Sequence, residues 1–118
     1  MEPISHFSDA VIAGKTLYVS GLVATDEQGN IVGAGDVVEQ TRQIFRNLRR
    51  ILETAGATPS DVAKLTIFMR DVDQRPLINP VRQEFFGAHR PASTLVGVSA
   101  LVRPELLLEI EAVAQLPD

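Results

Sequence analysis

The chain contains no cysteine and no tryptophan, and only 5% of its 118 residues are aromatic. The first absence excludes disulfides, thiolate nucleophiles and cysteine-based zinc sites, and accords with a reducing compartment. The second leaves the core to aliphatic side chains. Positive charge is also scarce: 11 Lys and Arg stand against 15 Asp and Glu, the net charge is −4, and no basic run exceeds Arg49-Arg50. Such a chain carries no electrostatic footprint for nucleic acid or an anionic membrane. No apolar run reaches the roughly 18 residues of a spanning helix, and MEPISHFSDAV lacks the basic-then-apolar pattern of a secretory leader. What is present is ordinary for a globular protein, with 45% hydrophobic and 22% charged residues. The sequence predicts one domain over residues 1–118, soluble and cytoplasmic.

Short β-prone runs at 11–13 and 16–22 are separated by Gly14-Lys15, a hairpin signal. A polar loop follows at 26–30. From Asp36 to Ala55, Val38, Ile44, Phe45, Leu48, Ile51, Leu52 and Ala55 recur at the spacing of one helical face, and Gly56 follows where a C-terminal cap belongs. Residues 64–70 read as a strand. A second helix is expected over 74–87 with Leu77, Val81, Phe85 and Phe86 on one face, and Pro80 predicts a kink or a late start at Asn79-Pro80. Two further strand regions cover 93–101 and 106–116. The order ββαβαββ is α+β, with helices able to cover one face of the sheet. Several strands are nonetheless apolar on both faces: Leu65, Ile67 and Met69 alternate with Thr66 and Phe68, and Leu95 and Leu101 oppose Val96 and Val98. The second face needs a cover, and another copy of the chain supplies one, so a homo-oligomer packed sheet to sheet is expected.

Candidate chemistry is sparse. Glu109 and Glu111, two apart on a strand, point to one side while Leu108, Ile110 and Ala112 point to the other. The residues alone leave two readings: a solvated edge face, or a carboxylate partly desolvated beside apolar groups and a subunit boundary, where it becomes a general acid or base near neutral pH. By alternation Ser93, Leu95, Gly97 and Ser99 share a side with room for a ligand. Ser93 and Thr94 lack a flanking GxSxG elbow, so serine hydrolysis does not fit. His6 and His89 are isolated surface or packing residues and no metal site is expected. Gly33-Ala34-Gly35 lacks the GxGxxG or GK[ST] of a phosphate loop and reads as a flexible helix entrance. Asn79 before Pro80 is most simply a helix cap.

In order and spacing, the segments FSDAV, TLYVSG, DVVEQTRQIFRNLRRILETAGATPSDVAKLTIFMRD, INPVRQEFFG, PASTLVGVSAL and EIEAVA resemble the Rid (YjgF) family of reactive intermediate deaminases, from about Phe7 to Leu116. The resemblance implies a chorismate-mutase-like fold assembled as a homotrimer with a central β-barrel and ligand clefts between subunits. It implies hydrolysis of small enamines or imines, such as 2-aminoacrylate, to 2-keto acids and ammonia, with no metal or organic cofactor. It makes Glu109, the first Glu of EIEA, the catalytic residue that positions or activates water. Ser20-Gly21, Phe7, Asn79, Ser93, Thr94 and Leu95 become the substrate-binding residues.

Three positions depart from the family's pattern. Ser93 stands where an Arg binds the substrate carboxylate, Phe7 where a Tyr precedes the N-terminal Ser, and Leu22 where Gln follows the Ser-Gly pair. Family subgroups lacking that Arg are regarded as without the archetypal deaminase activity. Arg90 and Arg103 flank the strand as possible replacements. The expected function is therefore deaminase-like hydrolysis of a small reactive metabolite, with a non-catalytic small-molecule-binding or regulatory trimer as the alternative. The ribonuclease activity attached to some members is opposed by the acidic charge.

Overall fold

The computed structural model describes residues 8–118. Five strands and two α-helices follow in the order β1 (Ala10–Ala13), β2 (Thr16–Leu22), α1 (Val37–Thr54), β3 (Val62–Met69), α2 (Arg75–Phe86), β4 (Ala92–Gly97) and β5 (Leu108–Gln115). The expected α+β class and ββαβαββ order are present. The strands form one sheet in the order β1-β2-β5-β3-β4. Only β3 and β4, joined by the crossover through α2, run parallel; the other neighbours are antiparallel. The hairpin turns at Gly14-Lys15, where Gly14 has φ +63°, as a two-residue connection of type II′ requires at its first position.

Both helices pack on one side of the sheet. The covered face carries Leu17, Val19, Leu65, Ile67, Met69, Leu108, Ile110, Ala112 and Ala114, all buried against Ile44, Leu48 and Leu52 of α1 and Ile78 and Val81 of α2. Burying each large aliphatic side chain contributes roughly 1.5–3 kcal/mol. Helix α1 begins at Asp36, whose carboxylate accepts from the Val38 and Glu39 amides at 3.1 Å, and ends before Gly56. Its buried face differs from the apolar spacing in one respect: Gln40, Thr41, Gln43 and Asn47 are buried on it, while Val38 and Ile51 are half-buried. These polar side chains are satisfied. Gln40 donates to the carbonyls of Gly33 (3.1 Å) and Glu105 (2.9 Å) and accepts from the Leu107 amide (2.9 Å). Asn47 donates to the carbonyls of Val23 and Thr25, and Gln43 also donates to Thr25. They pin to the helix the two connections that deliver β5 and follow β2.

Several expectations are corrected. Helix α2 begins at Arg75 and contains Pro80, so there is no late start, and Asn79 lies inside the helix rather than capping it; the N-cap is Gln74. The Pro76 carbonyl that Pro80 leaves without a helical donor is on an exposed residue, so it is not buried unpaired. The helix's buried face also differs from the expected one: Ile78, Val81 and Phe86 are buried and Leu77 is 52% exposed. The Gly33-Ala34-Gly35 entrance is tight rather than flexible. Gly33 and Gly35 both have φ +77°, Asp36 bonds back to the Gly33 carbonyl, and a Cβ on Gly33 would lie 2.8 Å from Glu39 Cβ. The strand expected over 93–101 stops at Gly97.

Candidate functional site

The site is built around an irregularity in β2. Val19 pairs with Ala112 and Leu22 with Ile110, so three steps along β2 match two along β5, and Ser20-Gly21 forms a bulge opposite Glu111. The extra residue lets Leu17, Val19 and Leu22 all face the core. It also brings the Gly21 backbone under the Glu109 side chain: a Cβ on Gly21 would lie 2.6 Å from Glu109 Cδ and 2.9 Å from its Cγ. Only a residue without Cβ leaves the carboxylate in this position. The Ser20 hydroxyl donates to the Ser8 carbonyl at 2.6 Å and the Ser20 amide to Asp9 at 2.9 Å, tying the chain entering β1 to the same bulge.

Glu109 and Glu111 project to the uncovered face, as their spacing predicts, with Leu108, Ile110 and Ala112 beneath. Glu109 is half-buried and Glu111 exposed. Desolvation of Glu109, and secondarily the nearby charge of Glu111, raise its pKa above the ordinary glutamate value. No cation forms an ion pair with it among the described residues. The Glu109 carboxylate therefore holds its proton to higher pH than an ordinary glutamate does.

Strand β4 divides the remaining candidates between the two faces. Its parallel register sets Ser93, Leu95 and Gly97 beside Leu65, Ile67 and Met69, hence on the helix-covered side, and Thr94 beside Thr66 on the side of Glu109. Thr94 accepts from Lys64 Nζ at 2.6 Å. Gly97 leaves no ligand room: a Cβ there would lie 3.0 Å from Val72 Cγ1, so Val72 fills the space. Ser99 lies beyond the strand. Asn79 is exposed on α2 and lines a groove with Arg82, Gln83, His89 and Arg90. His89 is held by a 2.7 Å contact of Nε2 with the Val62 carbonyl and packs edge-on against Phe86. Within one chain, therefore, Glu109, Ser20, Gly21 and Thr94 share the open face, while Ser93, Leu95 and Asn79 belong to the helix side. Phe7 and His6 lie outside the described residues.

The Endoribonuclease L-PSP family model matches residues 1–116. This chain belongs to the Rid (YjgF) family. The 3-aminoacrylate deaminase RutC of Acinetobacter baylyi is 39% identical over 112 residues, covering 95% of this chain and 88% of that one. The 2-iminobutanoate/2-iminopropanoate deaminase of Dermatophagoides farinae is 37% identical, covering 95% and 87%. The Rid-family protein YyfA of Yersinia pestis, of unknown function, has a solved structure that superposes with a TM-score of 0.91 at 32% identity, covering 97% of this chain and 90% of that one. The Rid fold thus accounts for the sheet, its two helices and their order.

The spacing of EIEA exposed Glu109, but three features of this Rid protein carried no readable signal. The Gly21–Glu109 contact depends on the bulge. The buried Gln40, Gln43 and Asn47 look like surface residues in a polar-rich helix, though their positions interleave with the apolar stripe at spacings of three and four. Arg82, unlike Arg90 and Arg103, does not flank the 93–101 segment in sequence. Arg103 is engaged elsewhere, donating to the Gly29 carbonyl at 3.3 Å. Among the described residues no helix is long and apolar enough to cross a membrane.

Proposed function

We propose that this protein is a cofactor-independent deaminase that hydrolyses small imines or enamines in clefts between the subunits of a homotrimer. The observation that carries the reading is the half-buried Glu109 carboxylate lying over Gly21 in the β2 bulge, its pKa raised by desolvation. The names of the Acinetobacter and Dermatophagoides relatives support the reaction class. In the proposed reaction an enamine first tautomerises to the imine, gaining a proton at carbon and losing one from nitrogen. Glu109 accepts a proton from water as the water oxygen bonds to the imine carbon, the C=N pair moves to nitrogen, and nitrogen takes the proton from Glu109. The hydroxyl proton of the carbinolamine then passes to the amino nitrogen, the C–N bond breaks as the carbonyl forms, and ammonia leaves.

Two further observations support assembly. Val11, Tyr18 and Val96 stand 53%, 51% and 39% exposed, on the face of the sheet that the helices leave open. Ser93 and Glu109 lie on opposite sides of the sheet in one chain, so a cleft using both draws them from different copies. An ammonia-release assay with imines generated by an amino-acid oxidase tests the reading. Turnover above buffer that disappears in Glu109→Ala is expected; no acceleration for a panel of imines overturns it.

Ser93 favours a second reading, a non-catalytic small-molecule-binding trimer. A serine hydroxyl offers one neutral donor in place of a charged, bidentate fork. That reading predicts ligand-dependent thermal stabilisation without turnover, and a gain of imine hydrolysis in Ser93→Arg. Cleavage of RNA is disfavoured by the net charge of −4.

A further inference from the structure

The chain has 11 Lys and Arg residues, and all lie within the described part. Nine are engaged. Lys15 pairs with Asp118, Arg42 with Glu39 and Glu84, and Arg50 with Glu27. Lys64, Arg46, Arg70, Arg75 and Arg103 donate hydrogen bonds to Thr94, Gln43, Pro104, Val72 and Gly29, and Arg49 lies 5.0 Å over the Phe85 ring. The two with no hydrogen bond, ion pair or ring contact among the described residues are Arg82 and Arg90, and both line the same groove.

That groove runs between the second half of α2 and the connection to β4. No acidic residue lines it. Asn79 stands one helical turn before Arg82, so its carboxamide and the guanidinium share one flank. Strand β4 starts directly after Pro91, the last lining residue, and Ser93 projects to the same side of the sheet. Arg82 is half-buried, and desolvation lowers its pKa with no carboxylate to offset it. A partly desolvated guanidinium without a counter-charge, in a protein whose net charge is negative, is a vacant place for an anion.

We propose that this groove binds a small carboxylate, with Arg82 as the residue that grips it and Arg90 as a weaker, exposed second charge. The planar fork of Arg82 matches a carboxylate bidentately, and Asn79 donates a further hydrogen bond. Arg82 thereby supplies, from α2, the charge that Ser93 does not. The inference rests on the proposed deaminase reading only for the identity of the carboxylate as part of a 2-imino or 2-keto acid.

The test is calorimetric binding of pyruvate to the full-length protein, with inorganic phosphate as a second probe. Arg82→Gln should weaken pyruvate binding roughly tenfold or more, Arg82→Lys less, Arg90→Gln least, and Arg46→Gln not at all. Unchanged pyruvate affinity in Arg82→Gln overturns the inference, as does tighter binding of phosphate than of pyruvate. If Arg82→Gln does not fold, titrating pyruvate into wild-type protein should still shift the Arg82 Nε–H resonance, and no shift overturns the proposal. The two readings fail separately. Arg82-dependent pyruvate binding without ammonia release removes the deaminase alone. Glu109-dependent ammonia release with binding and KM unaltered in Arg82→Gln removes the groove alone.

Discussion

The two faces of one sheet are made by the same strands and differ in almost everything else. On the covered face, β2, β3 and β5 present only aliphatic side chains, each buried under α1 or α2. On the open face the alternate positions are Tyr18, Ser20, Lys64, Thr66, Phe68, Glu109, Glu111 and Val113, a mixture of polar, charged and apolar groups at intermediate or high exposure. The covered face has a single task, exclusion of water, and its composition is uniform. The open face is mixed, so ionisable groups stand among apolar ones there, and desolvation raises the pKa of Glu109.

The contrast can be broken by substitution. Leu48→Ala, beneath the covered face and fully buried, should cost about 2–5 kcal/mol, read as a lower denaturation midpoint at unchanged slope; a cost under about 1 kcal/mol would mean that this face is not the core. Gly21→Ala should leave the fold largely intact, because the atoms that its Cβ meets belong to the end of the Glu109 side chain. Ammonia release should nonetheless fall about tenfold or more as the carboxylate is displaced. Wild-type rates in this variant would separate Glu109's position from activity.

A subtler effect comes from protonation. Because the folded-state pKa of Glu109 is raised, the folded chain holds this proton to higher pH than the unfolded chain. Stability from this group therefore falls as pH rises from the ordinary glutamate value, about 4.3, through the raised one. Glu109→Gln should melt at a higher temperature than wild type at pH 7, the difference closing as pH drops to about 4; a lower melting temperature at pH 7 would contradict the desolvation argument. The smallest effect on chain stability belongs to the open face. Tyr18→Ser, at a half-exposed position, should change unfolding free energy by no more than about 0.5 kcal/mol while weakening self-association measured by light scattering. Unaltered self-association would show that this part of the face is not an interface.

The residues disclosed the fold more readily than the site. The α1 pattern, the Gly14-Lys15 turn and the alternation around Glu109 are local signals, and each appears in the structure. Helix α2 departs from the expected late start because Pro80 forces a break only where the carbonyl four residues before it would be buried without a partner. Here the affected carbonyl is exposed and the helix runs through. The site depends on relations between distant segments: the bulge that sets Gly21 beneath Glu109, and the β3–β4 register that sends Ser93 and Thr94 to opposite faces. No single segment encodes either. Arg82 was invisible for the same reason, since an arginine is distinguished by lacking a partner only once every other side chain has been placed.

The central claim is that Glu109, held on the open face by the β2 bulge, makes this Rid-family chain a hydrolase. The most direct measurement is ammonia release from oxidase-generated 2-iminopropanoate by wild type and Glu109→Gln, which preserves size while removing the base. The account predicts acceleration over buffer by wild type and a loss of about 10²-fold or more in the variant; equal rates for the two proteins would contradict it.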